Sequence, residues 1–240
     1  MAQLPPMAEP PWWQAAFAAD YLAVYAHRDD ASAAAEIAGL APRLGAGPIL
    51  DACCGNGRHL AALRRSGQVA VGFDWSADLL RAGRVPSATV RADVRAIPYA
   101  GGFSAVLVLF TAFGYFDEGD NQVALAALAE QVAPSGRLLL DLPEVQRLRA
   151  NLIPRSEREV AGIAVSEERR LVGSRVLKDV HLRHADGRER RYTESVRLYE
   201  PQEIAALAGA VGFIIEDTWR SLRGPQHDDG RAAYWLRRSV

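Results

Sequence analysis

The sequence is poor in cysteine, and its two cysteines, Cys53 and Cys54, are adjacent. Neighbouring residues rarely form a stable disulfide, so both are expected to be free thiols in a reducing compartment such as the cytoplasm. Neither cysteine has His or Cys partners at the spacing of zinc ligands. The sequence therefore predicts neither a disulfide nor a metal site.

The sequence also lacks long apolar runs and an excess of basic residues. No stretch reaches the roughly 18 apolar residues of a membrane span, and the opening MAQLPPMAEPPWW lacks the basic and apolar regions of a secretory signal. The formal net charge is -1, whereas nucleic-acid binding relies on clustered Lys and Arg. We therefore expect a cytoplasmic protein without a membrane or nucleic-acid partner.

What is present is an alternation of short apolar segments with helix-like segments, in 240 residues that are 49% hydrophobic. Strands are predicted at 49–53, 69–73, 88–91, 103–110 and 137–141. Helices are predicted between them, the last at 120–133. Such alternation indicates parallel crossovers and hence an α/β protein with a doubly wound sheet. A further helix is predicted at 201–211. Two strands, at 213–219 and 232–236, follow it and complete the sheet as an antiparallel pair.

Two regions fall outside this alternation. The segment 1–45 contains predicted helices at 11–25 and 30–44, the second capped by Asp29 or Asp30. The segment 144–200 is rich in charge, alternates apolar with polar residues, and contains Asp186-Gly187, a strong hairpin turn. We interpret 1–45 as a helical cap, 46–143 and 201–240 as the ligand-binding domain, and 144–200 as a small antiparallel β insertion.

A ligand site is predicted where the first strand meets the next helix. Gly55 and Gly57 allow a tight turn there and a close approach of a ligand to the backbone. Asp74 ends the next strand, 17 residues beyond Gly57, where an acid accepts hydrogen bonds from ribose hydroxyls. The alternatives are a plain strand-helix turn and, for Asp74, a helix cap before Ser76.

Two motifs that are absent from the sequence indicate which nucleoside-containing ligand is bound. Position 60, where a third glycine would favour a dinucleotide, is Leu60, and no Walker Lys-Ser/Thr follows. Asp51 before the glycines would repel a pyrophosphate and attract an amino group. S-adenosylmethionine (SAM) carries an amino group, and a nicotinamide-dependent oxidoreductase is disfavoured.

Four segments, ILDACCGNGRHLAAL, VGFDWS, RADVRAIP and LFTAFGYF, resemble the successive motifs of class I SAM-dependent methyltransferases. Two further segments resemble those of a bacterial subgroup that acts on small molecules and has a β lid inserted after the fifth strand: DYLAVYAHRD and VRLYEPQEIAALAGAVGF. The resemblance covers nearly the whole chain from Trp12. It implies a seven-stranded, mostly parallel Rossmann-like sheet and SAM as cofactor, with S-adenosylhomocysteine (SAH) as product.

The resemblance also implies a role for each matching position. Asp51, Ala52, Gly55 and Gly57 would surround the methionine part, with Cys53 in the same motif and with a packing rather than a catalytic role. Asp74 would hold the ribose and Trp75 would pack beside the adenine. Asp93 and Val94 would meet the adenine, and Phe110 and Thr111 would lie near the sulfonium. Tyr21 and Arg28, with Tyr25, would cap the cofactor, although the tyrosines could equally anchor a helix, and Arg58 could contact the ligand.

The acceptor side is less determined. Phe113, Tyr115 and Phe116 follow Phe110 at the carboxyl edge of the sheet, where doubly wound folds bind ligands; some of these aromatic residues could instead be ordinary core. Arg197 and Tyr199 end the insertion and point either to the acceptor or to packing of the lid. Methyl transfer needs a base only if the acceptor must lose a proton, so no catalytic residue is assigned. The candidates for a catalytic residue are Tyr115, His227 and Tyr21. His227 could instead be a solvated loop residue.

The sequence thus predicts a SAM-dependent methyltransferase that acts on a small molecule by in-line displacement. The alternatives are an RNA or protein methyltransferase and a non-catalytic SAM-binding module. The insertion either covers the pocket or mediates a dimer, and monomer and homodimer both remain open.

Overall fold

The computed structural model describes residues 11–239. The opening segment, for which no secretory signal is expected, lies largely outside these residues, as does Val240. Within the described chain no helix has the length and apolar character needed to cross a bilayer.

Eleven strands form two separate sheets in the described chain. In chain order they are β1 (Ile49–Ala52), β2 (Ala70–Asp74), β3 (Thr89–Arg91), β4 (Phe103–Val108), β5 (Val132–Pro143), β6 (Arg155–Val160), β7 (Ile163–Val172), β8 (Arg175–His184), β9 (Glu189–Arg197), β10 (Phe213–Trp219) and β11 (Arg231–Arg238). The α-helices are α1 (Trp12–Ala16), α2 (Asp20–Val24), α3 (Asp30–Leu40), α4 (Arg58–Arg65), α5 (Ala77–Arg81), α6 (Glu118–Gln131), α7 (Val145–Ala150) and α8 (Pro201–Ala210).

The larger sheet has seven strands in the order β10-β11-β5-β4-β1-β2-β3. Neighbours from β5 to β3 are parallel, and β11 runs antiparallel to both β5 and β10. The prediction of a doubly wound, mostly parallel seven-stranded sheet is confirmed. All five parallel strands consequently end at one edge, where the predicted site residues follow them.

Apolar residues cover both faces of this sheet. Leu50 and Val106 point into a core that includes α6 and α8, while Ile49 and Leu107 point into a second core that includes α3 and α4. Successive side chains of a strand face opposite sides, so a strand buried on both faces is apolar throughout. The run FSAVLVLF from Phe103, which is apolar except for Ser104, has this cause.

The second sheet, β6-β7-β8-β9, is antiparallel throughout and confirms the predicted β insertion. The Asp186-Gly187 turn joins β8 to β9 as expected, with Gly187 at φ 86°. Helix α7, which was not predicted, precedes the sheet. We call β6–β9 the lid sheet. Val165, Val180 and Leu182 on one of its faces pack against Val24 of α2.

Several boundaries differ from the predictions. The helix predicted at 11–25 is two short helices, α1 and α2, separated by a turn. The helix predicted at 30–44 ends at Leu40 and continues as a 3-10 turn containing Pro42, because proline has no N–H for the helical ladder. Asp29, not Asp30, is its cap and accepts from Ser32 N at 2.8 Å. Helix α6 ends at Gln131, and Val132 begins β5.

Candidate cofactor and acceptor site

The backbone of the turn after β1 is bent at three alternate residues. Cys53, Gly55 and Gly57 have φ of 55°, 58° and 72°, all in the left-handed region that glycine adopts without strain. The Gly55 amide donates to Asp74 Oδ2 at 2.8 Å, which ties the turn to the end of β2. Gly57 then forms the N-cap of α4. The turn therefore opens the start of α4 toward the carboxyl edge of the sheet.

A cavity of about 450 Å³ lies at this edge, beneath α1 and α2. Most of the predicted site residues line it: Tyr21, Arg28, Asp51, Cys53, Gly55, Asp74, Trp75, Asp93, Val94, Phe110, Tyr115 and Phe116. Tyr25 and Arg58, for which a ligand contact was also considered, line it as well. Trp13, Phe17 and His59, which were not assigned to the site, line it too. Drug-sized ligands occupy cavities of this size.

Two buried polar atoms at the glycine-turn end of the cavity have no hydrogen-bond partner among residues 11–239. One is Asp51 Oδ2, on a carboxyl that is 2% exposed; the other is Arg58 Nη2. Burial raises the pKa of Asp51 to about 7, against the opposing charge of Arg58. Buried polar atoms are nearly always satisfied, so this end of the cavity presents one free acceptor and one free donor to a ligand.

The Asp74 carboxylate is held by backbone amides. Its Oδ1 accepts from Ser76 N at 2.7 Å and its Oδ2 from Gly55 N. Ser76 caps α5, so Asp74 also supports a helix start. Burial raises the pKa of Asp74. Trp75, beside it, remains 39% exposed under the Arg91 guanidinium.

Asp93 lines the cavity with both its oxygens engaged. Arg95 Nη2 lies 2.6 Å from Asp93 Oδ2, and Arg95 Nε lies 3.0 Å from Oδ1. The hydrogen bond from Arg95 lowers the pKa of Asp93. Asp93 is therefore an ionised acceptor that already has a cation partner.

The chain after β4 is bent away from the strand, contrary to the prediction that the strand extends to Phe110. Phe110 and Thr111 have φ of 57° and 61°. Their amides donate to Asp141 at the end of β5: Phe110 N to Oδ2 at 2.7 Å and Thr111 N to the carbonyl at 3.0 Å. Burial raises the pKa of Asp141 against its ion pair with Arg231. The sequence analysis did not predict the Asp141–Arg231 pair. The feature that could have indicated it is an acidic residue, Asp141, near the end of a buried strand.

Three guanidinium groups surround the Phe110 ring. Arg58, Arg231 and Arg28 lie 4.2, 5.0 and 5.2 Å from its centroid. Arg28 also donates to the Tyr21 hydroxyl at 2.8 Å. The tyrosine and arginine predicted as a cap thus reach the cavity together.

Aromatic rings form the opposite end of the cavity. Tyr115 lies 4.8 Å from Trp12 and 5.8 Å from Phe17, and Phe116 lies 5.0 Å from Trp13, between ring centroids. Burial raises the pKa of Tyr115. Its phenol is consequently protonated near neutral pH.

Other predicted residues are not brought to the cavity. Phe113 packs against Tyr199 in the core, with ring centroids 5.6 Å apart. Arg197 forms ion pairs with Glu118 and Glu203, so Arg197 and Tyr199 pack the lid, the alternative that the sequence left open. Ala52, Gly57, Thr111 and His227 also lie outside the lining. Burial raises the pKa of Cys53, which keeps it a thiol.

Comparison with known proteins places this geometry in a family. Residues 49–136 match the family model described as a methyltransferase domain. A demethylmenaquinone methyltransferase from Corynebacterium kroppenstedtii is 28% identical over 187 residues, which cover 73% of this chain and 71% of that protein.

Solved structures agree on the fold. A SAM-dependent methyltransferase from Clostridium acetobutylicum superposes with a TM-score of 0.77 at 15% identity, covering 92% of this chain and 96% of the other. A SAM-bound amino pentose methyltransferase from Micromonospora echinaspora gives a TM-score of 0.69 at 23% identity, covering 91% and 96%. The family match, the curated relative and the fold therefore agree on a SAM-dependent methyltransferase with the class I fold, in which residues 49–136 match the methyltransferase domain.

Proposed function

We propose that the protein transfers a methyl group from SAM to a small-molecule acceptor held in the cavity beneath α1 and α2. The observation that carries this proposal is the polarity of the cavity. Atoms of Asp51 and Arg58 that have no partner among residues 11–239 lie at one end, and aromatic rings lie at the other. A small amphiphilic cofactor and a separate acceptor match those two ends.

The residues of the polar end fit SAM. Asp51 Oδ2 offers an acceptor to an ammonium group. Arg58 Nη2, with Arg28 nearby, offers donors to a carboxylate. Asp74 would hold the ribose, with Trp75 and Val94 beside the adenine. Asp93 would take part only as an acceptor already shared with Arg95.

When bound, SAM supplies a methyl group on a sulfonium that is a good leaving group. The chain's own contribution is to align the acceptor, exclude water and place no competing nucleophile near the methyl. Cys53 meets the last condition because burial keeps its thiol protonated. Tyr115 and Tyr21 line the cavity, and burial raises the pKa of both. They therefore serve as hydrogen-bond donors rather than bases at neutral pH.

The size of the cavity, about 450 Å³, favours a small acceptor over RNA or protein. The net charge of -1 supports the same choice. The related proteins named above act on an amino pentose and on demethylmenaquinone, two different acceptors. A cytoplasmic monomer or homodimer, with segment 144–200 as a lid over a domain formed by 46–143 and 201–240, completes the proposal.

Calorimetric titration with SAH tests the cofactor part. We expect micromolar binding by the wild type and a large loss in Asp74→Asn, which cannot offer two carboxylate oxygens to a ribose. Asp78→Asn is the matched control: Asp78 lies four residues on, is exposed on α5 and pairs with Arg81. Equal binding by all three proteins would remove Asp74 from the site.

Release of SAH from SAM in the presence of amine and hydroxyl metabolites tests the acceptor part. If the wild type that binds SAH in the titration also releases SAH from SAM only when an acceptor is present, turnover is established. Tight SAH binding without turnover on any small molecule would instead favour a non-catalytic SAM-binding module. Absence of SAH binding by the wild type would contradict the cofactor assignment itself.

A further inference from the structure

The segment 112–117, which we call the acceptor loop, joins β4 to α6 and carries Tyr115 and Phe116. Asn121 of α6 holds it from one side. Asn121 is completely buried, accepts from Phe116 N at 3.2 Å and donates to Phe116 O at 3.0 Å. Helix α6 thus fixes the end of the loop but not its centre.

A single lid residue, Arg175 at the start of β8, holds the centre. Its Nη1 donates to the Phe116 carbonyl at 3.0 Å, and its Nη2 donates to the carbonyls of Gly114 and Tyr115 at 3.2 and 3.3 Å. The same guanidinium donates to the carbonyl and hydroxyl of Ser195 on β9 at 2.9 and 2.8 Å. Arg175 therefore joins three consecutive carbonyls of the acceptor loop to two strands of the lid sheet.

The backbone strengthens this attachment. Arg197 N, at the end of β9, donates to the Gly114 carbonyl at 2.8 Å. Gly114 has φ of 96°, and a Cβ there would lie 2.9 Å from the Arg197 carbonyl oxygen. The loop and the lid approach each other as closely as a glycine permits.

Two other cations of the lid sheet hold the remaining aromatic segments. Lys178 Nζ donates to the Tyr25 hydroxyl at 2.8 Å. Arg190 lies 2.7 Å from Asp20 of α2 and also donates to the Ala15 carbonyl of α1. The three segments that supply rings to the acceptor end of the cavity, which are α1, α2 and the acceptor loop, are therefore each bound by a lid cation.

We propose that Arg175 is a positioning residue through which the lid sheet sets the place of Tyr115 and Phe116, and so the shape of the acceptor end of the cavity. The inference rests on the proposed function insofar as this aromatic wall receives the acceptor. The planar guanidinium is what spans three carbonyls, and a lysine ammonium lacks that fork. The residue acts through the loop and touches no reacting atom.

Two tryptophans next to the loop make the inference measurable. Trp12 contacts Tyr115 and Trp13 contacts Phe116, whereas Trp219 and Trp235 contact each other in the core. Labelling with 5-fluorotryptophan gives five fluorine NMR resonances, the fifth from Trp75, and a Trp→Phe variant at each position assigns them. The resonances of Trp12 and Trp13 report on the loop, and those of Trp219 and Trp235 report on global integrity.

In Arg175→Gln we expect the Trp12 and Trp13 resonances to shift or broaden while those of Trp219 and Trp235 stay in place. Arg175→Lys, which retains the charge and one donor group, should give smaller changes in the same direction. Arg170→Gln is the matched control, because Arg170 is an exposed lid residue paired with Asp179. Unmoved Trp12 and Trp13 resonances in Arg175→Gln, or equal shifts of all four, would overturn the proposal.

SAH titration separates this inference from the proposed function. The cofactor end has no contact with Arg175, so SAH affinity in Arg175→Gln should stay within threefold of the wild type. Failure of the wild type to bind SAH would contradict the proposed function and leave the NMR comparison unaffected. A loss of SAH affinity in Arg175→Gln with unmoved Trp12 and Trp13 resonances would assign Arg175 to cofactor binding and overturn the positioning role.

Discussion

The two ends of the cavity are held in different ways. At the cofactor end, Asp51 Oδ2 and Arg58 Nη2 are buried without partners in the described part of the chain, and the backbone is bent by residues close in sequence. At the acceptor end, apolar rings face the cavity, and the polar groups that hold them, such as Arg175 and Lys178, lie behind them with their bonds satisfied.

This contrast teaches where each ligand's specificity resides. Unsatisfied buried groups cost free energy in the empty protein, and a ligand that completes them recovers it. The cofactor end is therefore specific through its own atoms. The acceptor end is specific through shape, which a distant part of the chain maintains. Five predictions would break or sharpen this comparison.

The largest effect is expected on stability, at the base of the cofactor end. Asp141→Asn leaves the half-buried Arg231 guanidinium beside Phe110 without its ion-pair partner. Breaking a fully buried pair costs about 3–5 kcal/mol in the free energy of unfolding. Because Asp141 is buried but Arg231 is partly exposed, we expect a loss of about 3 kcal/mol, measured by urea denaturation. Asp179→Asn, which breaks an exposed lid pair with Arg170, should cost about 1 kcal/mol or less. Similar losses in both variants would contradict a special role for the Asp141–Arg231 pair.

A slightly smaller effect is expected for Asp51→Asn on SAH binding. The variant keeps the side-chain size but loses the charge offered to the ligand ammonium. Losing one partner of a buried charge pair costs about 2–5 kcal/mol, so affinity should fall at least about 30-fold in a calorimetric titration. The empty protein should lose no stability, because Asp51 Oδ2 has no partner among the described residues. An unchanged SAH affinity would place the ammonium elsewhere.

These two variants also separate what the sequence could predict from what it could not. The glycine turn, Asp51 and Asp74 are consecutive in a strand-turn-helix-strand unit, so local pattern sufficed to place them at one edge. Arg58 and Arg231 meet at Phe110 from opposite ends of the domain, and no local pattern indicates that meeting. The same holds for the lid: its hairpin was predictable from Asp186-Gly187, but the reach of Arg175 to the acceptor loop depends on tertiary packing. Arg197 and Tyr199 carried a similar polar and aromatic signal and proved to pack the lid against α6 and α8.

A pH effect should follow from the raised pKa of Asp51, which lies at about 7. Below pH 7 the empty site holds a proton on Asp51 that must leave before the carboxylate can accept from an ammonium. SAH affinity should therefore rise with pH, by up to about tenfold per unit below pH 7, and level off above it. Titrations in buffers of different ionisation enthalpy should show proton release at pH 6 that disappears at pH 8.5, and Asp51→Asn should remove this pH dependence.

Stability should move in the opposite direction. Because the folded state holds this proton more tightly than the unfolded state, the contribution of Asp51 to the free energy of unfolding of the empty protein should fall as pH rises from about 4 to 7. Asp74, whose pKa burial also raises, contributes in the same direction. His59, whose pKa burial lowers, contributes in the opposite direction, so the test is the difference between the wild type and Asp51→Asn. The variant should gain stability relative to the wild type as pH rises through this window, and parallel profiles of the two proteins would mean that the pKa of Asp51 is not raised.

The smallest effect compares one hydroxyl at each end of the cavity. Tyr21→Phe removes the acceptor of a 2.8 Å hydrogen bond from Arg28, a loss of about 1 kcal/mol that should weaken SAH binding about fivefold by releasing Arg28. Tyr115→Phe keeps the ring contacts with Trp12 and Phe17 and should change SAH affinity less than twofold. The two ends of the cavity are held by different residues. If they therefore bind their ligands independently, only Tyr115→Phe should alter the KM for the acceptor without altering SAH affinity. An equal loss of SAH affinity in both variants would mean that the aromatic wall also holds the cofactor, and the division into two ends would fail.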